Sequence, residues 1–325
     1  MSTITFTNCK TTDLHPEKLR SVVKNFNAVF EKAETIEDFE RQYINNLKGY
    51  SYHSLMEDGG EVVGYLSAIP YAYSYFGEEK QFCYLGGLYI LPEYRKDSLA
   101  MFKLYRSLKE IVAKDDIALF VTVPNKNSHP YFIHALKWID VDSLPWYALP
   151  LRYGNIAGKG KLFNLASLAY SKVHIGVNSL FTAIANKKDK SKNIFLLPHD
   201  PLMERQRYSK DHKKIKEKTF SAFYLVVSEE GIQTAYLIDF YNSKRERDSR
   251  SLYKAVQYIS SHEKVDIILF VGTLGMKQPV LIKVPKKKEP RSLNFCVEIL
   301  DDSIKKEDVL KMSSWNFGLY NFDVR

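Results

Sequence analysis

The sequence predicts a mixed α/β fold, an α+β mixed sheet flanked by helices, laid down twice along the chain. Three observations carry this. Helical and strand patterns alternate through residues 1–150. From about Phe220 the order strand–turn–strand–helix–strand returns, as at 62–123, although no residue-level repeat of short period accompanies it. The charge also divides the chain: residues 1–150 hold 16 Lys+Arg and 19 Asp+Glu, a balance of −3, and residues 151–325 hold 31 and 19, a balance of +12. The expected domains are 1–150, a helical basic connector at 151–218, and a diverged second copy at 219–325.

At 325 residues and 45% apolar composition the chain is long and hydrophobic enough for about two cores, which excludes wholesale disorder. Three cysteines (Cys9, Cys83, Cys296) lie far apart, so neither a disulfide framework nor a zinc cluster is expected. No metal is expected. The first residues lack a basic segment followed by an apolar one, and no apolar run approaches the ~20 residues that span a bilayer. The expected location is cytoplasmic.

In residues 15–32, Leu19, Val22, Val23, Phe26, Val29 and Phe30 recur at helical steps. Residues 35–48 read as a second helix. A hairpin follows, with a strand near 52–56, the turn Asp58-Gly59-Gly60 and a strand over 62–68. Residues 81–91 (QFCYLGGLYIL) form a long uncharged strand stopped by Pro92. Leu99, Phe102, Leu104, Leu108, Ile111 and Val112 mark a helix over 98–113. DIALFVTV (116–123) is a buried strand, and PNKNSHP leads to a short helix at 131–136. The run YAYSYF (71–76) offers two readings, a substrate groove or an exposed sheet edge.

Residues 159–185 have helical spacing. They are expected to pack between the two halves, the alternative being a helix lying on a membrane. NKKDKSK (186–192) reads as a linker, and 200–218 as a solvated helix or loop. Strands are expected at 220–228, 234–240, 266–273 and 292–300 and in the C-terminal WNFGLYNFDVR, with a helix at 250–261.

The chemistry concentrates in 81–138. A strand ending in Pro92-Glu93-Tyr94-Arg95 and a short loop opening a helix expose backbone N–H groups at a helix N-terminus, where donors and dipole both favour an anion. Arg95 adds a charged donor.

This segment, with its preceding hairpin (EDGGEVVGYLSA), resembles the GNAT acyltransferase superfamily over roughly residues 4–150. That family follows an apolar strand and Pro-Glu-Tyr-Arg with a loop of pattern Arg-x-x-Gly-x-Gly/Ala. Arg95 and Ala100 fit, whereas Ser98 stands where Gly is usual. Asn125, Ser128, Lys137 and Trp138 stand at corresponding places in a later family segment. The resemblance implies acetyl-coenzyme A or another acyl-CoA as co-substrate. The backbone at Leu88, Tyr89 and Ile90 would pair with its pantetheine arm, Arg95, Lys96, Asp97, Ser98, Leu99 and Ala100 would hold its pyrophosphate, and Asn125 would lie beside it. The implied reaction is direct attack of an amine on the thioester, with a base for the amine and an acid for the thiolate. Many members supply that acid as a Tyr, but the corresponding position here is Phe132 counted from Asn125, or Ile133 counted back from Trp138. Neither donates a proton, so Tyr131 and His134 become the candidates. Candidate bases are Glu61, Glu78, Glu79 and His53.

In the second half, the segment after TAYLIDF reads Tyr241-Asn242-Ser243-Lys244-Arg245-Glu246-Arg247-Asp248-Ser249-Arg250. Without glycine it suits a pyrophosphate poorly, so this copy is expected to bind no coenzyme A, to pack on the first copy and to wall the acceptor cleft. Two-copy acyltransferases such as N-myristoyltransferases are similar in this respect. Lysine runs without interleaved aromatics exclude a nucleic-acid stacking surface. The expected function is acyl transfer to a primary amine on an amino sugar, amino acid or envelope precursor. The alternatives are a non-catalytic coenzyme A-binding module and a protein that docks on anionic membrane.

Overall fold

The computed structural model describes residues 3–46, 48–185 and 194–322. They form two compact units, one of residues 1–142, 200–209 and 294–310, the other of 143–199, 210–293 and 311–325.

In the first unit, β1 (Thr5–Lys10), β2 (Tyr52–Asp58), β3 (Glu61–Tyr75) and β4 (Glu78–Ile90) are antiparallel neighbours. Helix α3 (Ala100–Val112) carries the chain over to β5 (Ile117–Thr122), which lies parallel to β4. The sheet then continues through β14 (Asn294–Ile299), antiparallel to β5, to β6 (Ile139–Ser143). Before β2 come α1 (Pro16–Phe30) and α2 (Ile36–Tyr43). The latter opens on a capping box: the Asp38 amide donates to Thr35 Oγ1 at 3.1 Å and the Thr35 amide to Asp38 Oδ2 at 3.0 Å. Of the apolar stripe expected for α3, Leu104, Leu108, Ile111 and Val112 are buried on the sheet, whereas Leu99, before the helix, and Phe102 are exposed.

β3 and β4 run farther than their sequence patterns suggest and turn at Phe76-Gly77. Tyr71, Tyr73 and Tyr75 are buried on β3, an interior strand, so this run is neither an exposed edge nor an open groove. The Tyr73 ring stacks on Phe82, and Tyr75 donates its hydroxyl to Asp308 at 2.9 Å, beside α8 (Lys306–Val309).

The second unit repeats the arrangement. Antiparallel β10 (Phe220–Glu229) and β11 (Ile232–Asn242) lead through α7 (Ser249–His262) to β12 (Ile267–Val271), parallel to β11. β7 (Trp146–Pro150) is antiparallel to β12 and also pairs with β13 (Ile282–Lys283), while β9 (Lys213–Lys216) borders β10. Phe195–Leu196 (β8) and Trp315–Asn316 (β15) form a short parallel pair. The core joins Leu237, Phe240, Leu252, Val256, Ile268 and Phe270.

The outer strands are exchanged along the chain. β7 follows β5 and β6 in sequence yet extends the second sheet, and the late β14 extends the first. Dividing the chain at 150 and 219 would separate β12 and β5 from these neighbours. Strand alternation locates a strand but carries no record of its pairing partner.

Residues 200–218 are more ordered than a solvated stretch: α6 (Pro201–Arg207) is capped by Asp200 and buries Met203, and β9 follows. The 186–192 linker lies outside the described residues. α5 (Lys161–Ala185) follows the short α4 (Tyr153–Ile156) and packs on the second unit through Leu168 and Ile175. Large apolar side chains including Leu162, Leu165, Leu180 and Phe181 are exposed. Among the described residues no helix is long and apolar enough to cross a membrane.

Candidate functional site

The site begins where two parallel strands part. β4 pairs with β5 from Gln81↔Ile117 to Tyr84↔Val121, and the ladder ends there, whereas β4 stays paired with β3 as far as Ile90↔Gly64. Beyond Tyr84, β4 has one edge without a strand partner among the described residues, and such an edge presents backbone donors and acceptors. Thr122 Oγ1 bridges the vertex by donating to Leu85 O at 2.9 Å.

Gly86-Gly87 supplies the local cause. Gly87 has φ +68°, and the β3–β4 register shifts at this point. A Cβ on Gly87 would lie 2.9 Å from Tyr65 Cε1, 3.1 Å from the Tyr43 hydroxyl and 3.3 Å from Ser67 Oγ. Only glycine combines that φ with that approach. Of the predicted pantetheine-binding stretch, Leu88 and Ile90 are partly buried against the core. The Tyr89 side chain is buried, its hydroxyl donating to Val22 O at 3.4 Å, which leaves Tyr89 only its backbone to offer.

At the mouth, Pro92 ends the strand and Pro92–Tyr94 forms a 3₁₀ turn. The Tyr94 hydroxyl donates to Asp58 Oδ2 at 2.7 Å, and this bond pushes its pKa up to about 12. Arg95 Nε donates to Ile90 O at 2.7 Å, setting the guanidinium beside the free edge of β4. Asp97 organises the loop. Its Oδ1 accepts from the Leu99 amide and its Oδ2 from Lys103 Nζ, both at 2.9 Å, and its carbonyl accepts from the Ala100 amide at 3.1 Å. The Lys103 bond, then the Leu99 amide, hold its carboxyl below the usual range. Two of the predicted pyrophosphate amides, those of Leu99 and Ala100, are therefore already engaged. Those of Lys96, Asp97 and Ser98 have no backbone acceptor among the described residues.

The acid and base candidates separate. Asn125 Oδ1 accepts the amides of Asn127 (2.9 Å) and Ser128 (3.0 Å), so it shapes the turn after β5. Tyr131 and His134 are exposed on the single π turn Tyr131–Ala135. Of the two positions that correspond to the usual proton donor, Phe132 is buried with its ring 4.8 Å from Trp138 and Ile133 is partly buried against the same core. Glu78 and Glu79 begin β4, about 20 Å of strand before Leu85 at the vertex. That distance removes them as bases. Glu61 is exposed and 3.4 Å from Lys24 Nζ.

His53 is sealed in. Its Nδ1 lies 2.8 Å from the Tyr65 hydroxyl and its Nε2 2.8 Å from Thr11 Oγ1, and its ring stacks against Phe39 and Tyr65. Burial lowers its pKa to about 3, so it is a neutral structural residue and not an acceptor-facing base. The strand pattern places His53 on β2 but cannot show this enclosure. A contact set that sequence spacing misses altogether joins His129, Asp140 and Cys296, whose ligand atoms lie within 4.8 Å of one another. His129 Nε2 is 3.0 Å from Asp140 Oδ2, and burial pushes the Cys296 thiol up.

The second unit parts in the same way, its β11–β12 ladder ending at Tyr236↔Leu269. Three residues beyond the last pair stands Asp239, where the first unit has Gly87. Asp239 is fully buried. Its Oδ1 accepts from Arg247 Nε at 2.8 Å and Nη2 at 2.7 Å, and its Oδ2 lies 2.8 Å from His199 Nε2. Burial would raise this carboxyl, but the charges of His199 and Arg247 outweigh it and hold the pKa down.

A mixed sheet that parts between parallel strands, with a strand–loop–helix at the opening, defines an acyltransferase type of fold. Residues 19–135 match the model of the acetyltransferase (GNAT) family. Solved structures match nearly the whole chain. A GCN5-related N-acetyltransferase from Kribbella flavida aligns with TM-score 0.58 at 11% identity, over 92% of this chain and 72% of its own. Its counterpart from Anabaena variabilis gives 0.56 at 11%, over 92% and 73%. The N-myristoyltransferase of Saccharomyces cerevisiae with bound myristoyl-CoA gives 0.51 at 12%, over 90% and 82%. These likenesses establish a GNAT-like fold with two-domain coverage. No curated protein sequence matches the chain.

Proposed function

We propose that the protein is an acyl-coenzyme A-dependent N-acyltransferase with one acyl-donor site, in the first unit. The observation that carries this is the unpaired β4 edge beyond Tyr84 running into the Arg95–α3 loop. The backbone of Leu88–Ile90 pairs with the pantetheine amides, and Arg95 with the Lys96–Ser98 amides takes the pyrophosphate. The thioester then lies toward the vertex, near Thr122.

An amine nitrogen attacks the thioester carbonyl, the C–N bond forms and the C–S bond breaks. The amine proton leaves to a base or water, and the thiolate takes a proton. Tyr131, with His134 beside it, is the candidate thiolate acid, because Phe132 has no proton to give. The acceptor is a small primary amine, such as an amino sugar, an amino acid or an envelope precursor, and acetyl-CoA is the first donor to test. We place the reaction in the cytoplasm. The second unit binds no acyl-CoA: where the first has Gly87 it has the buried Asp239–Arg247–His199 cluster, and its following loop has no glycine.

Calorimetric titration with acetyl-CoA and myristoyl-CoA tests the proposal. One bound acyl-CoA per chain is expected, and Arg95→Glu should weaken it by about tenfold or more, a loss of at least ~1.4 kcal/mol. No binding at millimolar ligand would overturn the donor site. Bound ligand without acylation of any amine in a panel would instead mark a binding module.

A further inference from the structure

We infer that α5 is an in-plane membrane helix, seating the second unit on an anionic lipid surface. Most of the large apolar side chains of this helix lie on its outward face. The side turned into the protein is mixed: Leu168 and Ile175 join the second core, and beside them Ser167 donates to Leu151 O at 3.0 Å, Ser171 to Pro150 O at 2.7 Å, and His174 Nε2 to Val280 O at 3.1 Å. Ser171, Asn178 and Thr182 are buried there. The outward side is apolar: Leu162, Leu165, Tyr170, Val173, Leu180 and Phe181 are between 56% and 77% exposed. From Leu162 to Phe181 this face runs about 29 Å. An ordinary surface helix has the opposite pattern, and a face of this length marks an interaction surface.

The charge identifies the occupant. No acidic residue occurs between Arg152 and Lys188. Lys159, Lys161 and Lys172 are exposed at the start and middle of the helix, and residues 153–192 contain seven lysines against Asp189 alone. Beyond Val280, whose carbonyl His174 meets, Ile282 on β13 is exposed and is followed by Lys283 and the Lys286–Lys288 turn. An apolar strip bordered by lysines fits the acyl-chain boundary below a layer of anionic head groups. A second copy fits less well, because an isologous contact would bring the same lysines together. The helix does not cross the bilayer, since its inner face is packed on and hydrogen-bonded to the second unit.

The test is co-sedimentation of the full chain with phosphatidylcholine vesicles, with and without about 30% phosphatidylserine. At least about tenfold stronger association with the anionic vesicles is expected, falling as salt rises. The double substitution Leu165→Glu/Leu180→Glu, at exposed positions, should reduce association by about tenfold or more while acetyl-CoA affinity is unchanged. Failure to associate with anionic vesicles would overturn the inference, as would association indifferent to the double substitution. So would a dimer in solution that the double substitution dissociates, with no vesicle binding, because the face would then belong to a second copy. These outcomes do not depend on whether the first unit binds acyl-CoA.

Discussion

Gly87→Ala is the sharpest test of how the sheet is opened. The added methyl would meet Tyr65 Cε1 at 2.9 Å and the Tyr43 hydroxyl at 3.1 Å. Tyr65 cannot swing aside cheaply, because it is buried and its hydroxyl lies 2.8 Å from His53 Nδ1. Overpacking of this kind costs about 1–3 kcal/mol, and a non-glycine residue at φ +68° adds about 1 kcal/mol. The expected loss is therefore about 2–4 kcal/mol. Gly77→Ala provides the control, because Gly77 has φ +89° in the β3–β4 turn with open space around its Cβ position, so it should lose only the backbone share, about 1 kcal/mol. Urea denaturation of both variants isolates the packing contribution as their difference. Acetyl-CoA affinity should fall in the Gly87 variant alone, since Leu88–Ile90 must shift to relieve the contact. Equal losses in the two variants would refute the argument that close packing at Gly87 sets the strand's path.

Four further outcomes are expected. Asp97→Asn removes a carboxylate from the start of α3 and should tighten acetyl-CoA about 2–5-fold, read by calorimetry. Tyr131→Phe should lower kcat about 100-fold with little change in donor affinity, and an unchanged kcat in steady-state assays would remove Tyr131 as the acid. For His53, the folded pKa of about 3 lies below the unfolded value of about 6.5, so the unfolded chain binds the extra proton. The stability that neutral His53 contributes is present above about pH 6.5 and is lost as pH falls toward 3, by roughly 1.4 kcal/mol per pH unit. Urea midpoints between pH 7 and 4.5 should show that slope, flattened in His53→Gln. Asp239→Asn leaves Arg247 buried without its counter-charge and should cost about 3–5 kcal/mol by chemical denaturation, with one acyl-CoA still bound per chain.

Much of the first unit was legible locally. The spacing of α1 and α3, the Asp58-Gly59-Gly60 turn and the strand broken by Pro92 are each encoded within a few residues of themselves. The motif around Arg95 was equally local. The ion pair of Asp97 with Lys103 was less so, since Lys103 reaches it from the first turn of α3, six residues on. Nor could composition separate the three tyrosines of YAYSYF from an exposed edge, because burial of a strand depends on which strands flank it.

The alternation of elements, the repeated order, the charge asymmetry and the strand–loop–helix that carries the family resemblance can all be read along the chain. These are short-range properties of propensity, periodicity and turn chemistry. The exchange of strands between the sheets, the enclosure of neutral His53, the buried pairing of Asp239 with Arg247 and the outward turn of the apolar side chains of α5 appear only in three dimensions. Each of these depends on groups brought together from distant parts of the chain, and pairing, desolvation and exposure take their values only once those groups meet.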